Sequence, residues 1–288
     1  MNKESGNQYI PLIKIVLIKV LKNNTAPIGI FDSGIGGLTV AKAVMKALPA
    51  EDIIYFGDTA RVPYGIKSEK VVRSYALEIT KFLLKKGVKI ILIACNTVSA
   101  SAKKEISELA GNIPVLDVIS AGAAMAVDHQ RNNKVGVIGT LATVRSNAYK
   151  KAINEFDRTI EIVQKACPML VPLAEEGWID NDIAKKTIEE YLSEFKMTDI
   201  DSLILGCTHY PLFKSTIRAF FNDDHIYIID SAESIAESAF NTLKNLQIEN
   251  KNGGNFECFV SDQPQRFHEL AKRFLGRKIN RMEIVTLN

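Results

Sequence analysis

The chain reads as an α/β protein built from two pseudosymmetric α/β domains with mainly parallel sheets, with an active site in the cleft between them. Three observations predict this. From Pro27 onward, short β-branched apolar runs alternate with helical stretches, the pattern of βαβ units around a parallel sheet. One such run, Val88 to Ala94, holds almost no polar residue, as a strand covered on both faces does. The series also runs twice: Ile28-Gly29-Ile30-Phe31 opens the first copy and Val135-Gly136-Val137-Ile138 the second. Ile91-Leu92-Ile93-Ala94-Cys95-Asn96-Thr97 then returns as Leu203-Ile204-Leu205-Gly206-Cys207-Thr208-His209. Both pairs are offset by about 110 residues, the scale of one domain. Buried parallel strands look alike in any protein, so the cysteine at the same place in each copy is what favours a duplication.

Residues 1–25 read as an extension. Ile10 to Leu21 is apolar but interrupted by Pro11, Lys14 and Lys19, too short and too charged for a bilayer span of about 20 residues. Lys22-Asn23-Asn24 offers no small-residue cleavage site for a signal peptide. A short helix or strand packed on the body is expected there, and no membrane. The first α/β domain is expected over 26–118, completed by 231–288, with the second over 119–230.

Within the first copy, Ile28 to Phe31 is a buried strand, followed by a Gly-rich turn and a helix through Leu48, stopped by Pro49. Ile53 to Phe56 is a second strand. Ser68 caps a helix whose Val71, Val72, Tyr75, Ile79, Phe82 and Leu83 share one face, with Gly87 past its end. Val88 to Ala94 is the third strand. In the second copy, strands fall at Val135 to Ile138, Ile160 to Gln164, Ser202 to Gly206 and Ile226 to Ile229, with helices at Thr143 to Phe156, Asp182 to Phe195 and Ser231 to Leu246. A polar loop at Asn252 to Asn255 precedes a strand at Phe256 to Val260 and a last helix from Pro264 to Phe274, ended by Gly276.

Composition excludes several classes. With 47% apolar and 24% charged residues, the chain has the material for a real core. A net charge of +3, with basic residues scattered among acids, gives no footprint for nucleic acid. Four cysteines in 288 residues make no disulfide scaffold, and none forms a CxxC pair, so no structural metal is expected. Reduced thiols in the cytoplasm are the expectation.

Ligands of open parallel sheets bind beyond the carboxyl ends of the strands. Cys95 and Cys207 both sit there, each before a helix start, where the positive end of a helix dipole should lower a thiol pKa. Cys167 and Cys258 read as packing residues. A lone cysteine is more often buried filling than a nucleophile; two at matching strand ends are compatible with a redox dithiol, a metal pair or a two-base proton exchanger. Asp32 and Ser33 reach the same sheet edge as Cys95, and His209 lies two residues beyond Cys207. A carboxylate beside one thiol and an imidazole beside the other can relay protons, although a loop histidine taken alone is more often structural. Ser33-Gly34-Ile35-Gly36-Gly37 lacks the spacing of a dinucleotide loop or P-loop. Its glycines are expected to free backbone N–H groups for a small anion, with Tyr64-Gly65 and Asn96-Thr97 extending the cradle.

The runs FDSGIGGLTV, GDTARVPYG, ACNTVSAS and GCTHYP, in that order, resemble the glutamate racemase family of the aspartate/glutamate racemase superfamily. GTLATVRS, and ACPMLVPLAEEG around Glu175, are similar to its interdomain and second-domain segments. The resemblance runs from about Pro27 to Gly276. It implies a cofactor-independent enzyme, without pyridoxal phosphate or metal, that supplies D-glutamate for peptidoglycan and is commonly a homodimer. It implies that Cys95 acts on D-glutamate and Cys207 on L-glutamate, that Asp32 supports Cys95, and that His209 with Glu175 supports Cys207. Substrate would be held by Asp32, Ser33, Tyr64, Gly65, Asn96, Thr97, Thr208 and His209. Val98 departs from the family's usual small alanine after CNT. Some relatives with extensions like residues 1–25 use that region to bind an activating cell-wall precursor, so the resemblance makes such a precursor a candidate regulator here, although no specific ligand residue is matched in this chain. A racemase of aspartate or a related substrate, a non-catalytic amino-acid-binding protein and a redox dithiol protein are the alternatives to test.

Overall fold

The computed structural model describes residues 24–129, 132–222, 226–262 and 267–287. Most of the expected extension and the expected start of the last helix at Pro264 lie outside them. The chain runs β1 (Ile28–Asp32), α1 (Leu38–Ala47), β2 (Ile53–Gly57), α2 (Glu69–Lys85), β3 (Ile90–Ile93), α3 (Asn96–Ala110) and β4 (Val115–Asp117). Helix α4 (Val118–His129) leads to β5 (Lys134–Gly139), α5 (Leu141–Arg145), α6 (Ala148–Phe156), β6 (Glu161–Ala166), α7 (Leu170–Glu176), α8 (Asp182–Leu192), β7 (Ser202–Gly206), α9 (Lys214–Phe221) and β8 (Tyr227–Asp230). Helix α10 (Ser231–Leu246) then returns the chain for β9 (Phe256–Val260), α11 (Phe267–Leu275) and β10 (Met282–Ile284).

Two parallel sheets result, ordered β10-β9-β2-β1-β3-β4 and β6-β5-β7-β8. The run β2-β1-β3-β4 has the same order as β6-β5-β7-β8, so the repeat seen in the sequence is a repeat of topology. Strands β1, β2, β3 and β7 are buried along their whole length, which is why they are apolar without alternation. Even the helix caps repeat. Asp117, ending β4, accepts from the backbone N–H of Ile119 and Ser120 at 3.0 Å; Asp230, ending β8, accepts from that of Ala232 at 2.9 Å. These caps start α4 and α10, the two crossovers, which pack on one another. Helix α10 also rests on α1, and α4 on β7 and α6.

Register brings the chemistry to one level. Ile30 of β1 lies between Tyr55 of β2 and Leu92 of β3, so Asp32 and Cys95 leave the same edge. In the second sheet Val137 of β5 lies between Gln164 and Ile204, and Cys207 follows β7 directly.

Ser68 caps α2 as expected, accepting from the Val71 N–H, and Gly87 beyond its end has φ +73°. Three elements are shorter or interrupted. The strand expected over Val88 to Ala94 is β3, four residues long. The helix expected at Asp182 to Phe195 ends as an α-helix at Leu192 and tightens into a 3-10 turn at Ser193–Met197. The helix expected from Thr143 to Phe156 is two, α5 and α6. Asn147 between them is left-handed at φ +53°, and the Ser146 hydroxyl donates to the Thr143 carbonyl while accepting from the Ala148 N–H. A serine–asparagine pair that satisfies the backbone locally competes with helix continuation.

Candidate active site

The carboxyl ends of β1 and β3 face those of β5 and β7 across a cavity of about 270 Å³. Its walls include all the residues singled out from the sequence: Asp32, Ser33, Tyr64, Gly65, Cys95, Asn96, Thr97, Glu175, Cys207, Thr208 and His209. Both thiols are free and buried. A larger hollow of about 780 Å³ between α1 and α10 contains neither, so size alone does not locate the chemistry.

On the first side, Cys95 is the N-cap of α3, and its Sγ donates to Ser33 Oγ at 3.4 Å. Burial, reinforced by the Asp32 carboxylate, pushes this thiol up to about 12. The expectation that the helix terminus would lower it is overturned, because removing a thiolate from water outweighs the partial charge of a helix end. Asp32 is buried too, and burial raises its pKa despite the opposing effects of His209 and of the Gly37, Gly34 and Ser33 N–H groups. Its Oδ2 accepts from the Gly34 N–H at 3.0 Å; its Oδ1 has no hydrogen-bond partner among the described residues.

On the second side, Cys207 Sγ lies 3.9 Å from His209 Nδ1, and His209 Nε2 lies 3.1 Å from Glu175 Oε1. Burial alone would discharge the imidazole, but the hydrogen bonds to Cys207 and Glu175 outweigh it and raise its pKa to about 10. At neutral pH the ring is an imidazolium. The two sulfurs therefore have opposite neighbours, a carboxylate beside Cys95 and a cation beside Cys207. Helix α11, attached to the first sheet, closes over this relay: the Phe274 ring meets His209 edge-on at 5.0 Å, and Arg273 donates to the backbone carbonyl of Glu175.

The Gly-rich turn also brings the two halves close together. The Gly34 N–H is taken by Asp32, and further along the Leu38 N–H closes onto the Ile35 carbonyl and the Thr39 N–H onto the Gly36 carbonyl. At Gly36 the approach between halves leaves no room for a side chain. A Cβ on Gly36 would sit 2.3 Å from Thr208 Oγ1 and 2.6 Å from the His209 ring, while the neighbouring Thr39 hydroxyl donates to the Thr208 carbonyl at 3.0 Å. Gly36→Ala should therefore fold but lose about tenfold in turnover, since sub-ångström displacement of reacting groups is costly. Unchanged kcat with a cooperative melt would show that the halves tolerate the methyl.

Residues 30–239 match the family described as Asp/Glu/Hydantoin racemase. The chain belongs to that family. The glutamate racemase of Chlorobaculum tepidum is 50% identical over 265 residues, covering 91% of this chain and 97% of its own length. That of Neisseria meningitidis serogroup B is 46% identical over 263 residues, covering 91% and 97%. The crystal structure of the Francisella tularensis glutamate racemase in complex with D-glutamate matches at TM-score 0.86 and 41% identity, covering 92% of this chain and 99% of that one.

Several features of this cavity escaped sequence reading. Thr140 and Leu141 after β5, with Pro168 just before α7 and Val171 in its first turn, also line the cavity; the first two stand after β5 as Ser33 and Gly34 stand after β1, so the internal repeat carried the signal. Asp58, fully buried, accepts from the Tyr64 hydroxyl, from Arg61 Nε at 2.7 Å and from Ser261 Oγ at 2.7 Å. Tyr64 thus lines the cavity with its phenol proton already committed. Cys167 and Cys258 are buried, and burial raises each to about 12, in keeping with packing duty. Among the described residues, no helix is long and apolar enough to cross a membrane.

Proposed function

We propose that this chain is a glutamate racemase that interconverts L- and D-glutamate through two thiols, without a cofactor. The observation that carries the reading is that Cys95 and Cys207, from equivalent strands of two facing sheets, line one cavity sized for an amino acid. Relatives named glutamate racemase at up to 50% identity over most of the chain favour glutamate over aspartate.

Cys207, as thiolate, takes the α-proton of L-glutamate, and the Cys95 thiol gives its proton to the opposite face. The reverse direction exchanges the roles, and two bases are needed because one would return the proton to the side it came from. The protonated state of Cys95 suits an acid, and the Glu175–His209 pair suits a partner that stabilises charge on Cys207. The free Oδ1 of Asp32 is an acceptor for the substrate ammonium. Ser33, Gly65, Asn96, Thr97 and Thr208 complete the binding set, with Tyr64 contributing as a wall. Donors aimed at the α-carboxylate stabilise the carbanion as charge moves into it.

The same reading takes 26–118 with 231–288 as one domain and 119–230 as the other, supported by the order of the two sheets. It also carries a cytoplasmic homodimer that supplies D-glutamate for peptidoglycan.

Circular dichroism of L-glutamate incubated with the purified chain should decay to zero without added cofactor. L-aspartate under the same conditions should keep its signal. Loss of the aspartate signal alone would overturn the assignment in favour of an aspartate enzyme.

A further inference from the structure

Tyr149, on α6 of the second half, has no exposed surface and donates its hydroxyl proton to Asn96 Oδ1, across the cleft in the first half, at 2.8 Å. Two glycines make room for its ring. A Cβ on Gly122 of α4 would lie 3.3 Å from Tyr149 Cε1, and one on Gly206, just before Cys207, 2.8 Å from Cε2. The ring is therefore wedged against the strand end that carries one thiol, and its hydroxyl reaches the residue that follows the other.

A buried hydroxyl has to place its proton. Burial first, and the Asp117 carboxylate next, hold the phenol well above its ordinary pKa, so the proton stays. Because Tyr149 donates, the amide of Asn96 is oriented, with Oδ1 toward Tyr149 and Nδ2 turned away. Asn96 is 4% exposed and lines the cavity, and its Nδ2 has no partner among the described residues. Asp32 Oδ1, in the same cavity, is an acceptor without a donor. An unpaired donor and an unpaired acceptor in one cavity fit the carboxylate and ammonium of an amino acid.

We infer that Tyr149 is a positioning residue that locks the Asn96 amide with its N–H protons facing the substrate, so that this position accepts a carboxylate oxygen. The inference rests on the glutamate racemase reading and adds a specificity device to it. The Tyr149 ring touches no substrate; it acts through Asn96.

The test is a double-mutant cycle on the full chain: wild type, Tyr149→Phe, Asn96→Ala and the double variant, each assayed with L-glutamate. Tyr149→Phe keeps the ring that fills the wedge and removes only the proton. It should raise KM about tenfold with a smaller change in kcat, as expected when a hydrogen bond to a charged group loses its orientation. In the Asn96→Ala background the same substitution should change KM hardly at all. Additive effects, or a loss confined to kcat, would overturn the inference while leaving the racemase reading intact. An inactive wild type would overturn both. Should Tyr149→Phe fail to fold, the Asn96 side-chain amide protons of ¹⁵N-labelled wild type give a second readout. They should shift on saturation with glutamate, and unmoved resonances would reject the proposed contact.

Discussion

Replacing either Cys95 or Cys207 by alanine should lower glutamate racemisation by about 10³-fold or more while the protein still folds and binds glutamate; a positioned acid or base typically contributes about 10²–10⁴-fold. Both thiols are buried but small, and each lies at the cavity wall, so truncation removes one sulfur without opening the core. The loss should be identical in both directions when expressed as kcat/KM. Enantiomers have equal free energies, so the equilibrium constant is one, and no substitution can favour one direction in that ratio. A directional difference can appear only in kcat and KM separately.

The single variants should nonetheless differ in what they retain. With Cys95 gone, Cys207 can still take the α-proton of L-glutamate, but nothing stands on the opposite face to protonate the carbanion. In heavy water this variant should exchange the α-hydrogen of L-glutamate slowly, without inversion. Cys207→Ala should do the same for D-glutamate only. Proton NMR reads the exchange, and circular dichroism reads the inversion. Inversion that survives in either variant would sink the two-base reading, because a single base that inverts needs no partner across the cleft.

The strands that carry these thiols were legible because they are covered on both faces. Ile91-Leu92-Ile93 and Leu203-Ile204-Leu205 cannot alternate with polar residues, and their likeness exposed the repeat. Helix α4 was not anticipated, for a related reason. Val118, Ile119, Ala121, Gly122, Ala123 and Ala126 are all buried, so the helix is apolar around most of its girth and shows no one-sided period. Strand β10 escaped because it is short and half exposed at a sheet edge, and α7 because Pro168 and Pro172 punctuate it, although a proline in a first turn is tolerated. The site residues were legible as types at strand ends. Their electrostatics were not: the charge on His209 depends on Glu175, 34 residues away in sequence, and the protonation of Cys95 depends on burial that no local pattern reports.

The largest effect expected outside the thiols lies in that His209 pair. His209→Asn should cost about 10²-fold in kcat/KM, because the cation beside Cys207 disappears while a polar side chain still fills the space. Glu175→Gln is the more diagnostic change. It removes the second of the two hydrogen bonds that keep the imidazole charged, so the His209 pKa should fall from about 10 back toward its ordinary range. The sign for stability follows from linkage. A histidine whose folded pKa is raised contributes stability that is fully present below its ordinary value near 6.5 and is lost as pH rises through about 10. In Glu175→Gln that loss should set in at lower pH, so the melting temperature should lie furthest below wild type around pH 6.5, close on it as pH rises into the alkaline range, and meet it above pH 10. Glu175 is itself 44% exposed, so solvent and salt screen the pair, and the separation should shrink at high ionic strength. The imidazole resonance of His209 is the right probe, because the substrate ammonium titrates in the same alkaline range and would blur a rate profile. If the resonance titrates at the same pH in Glu175→Gln as in wild type, Glu175 does not hold the charge on His209, and the relay reduces to Cys207 and His209 alone.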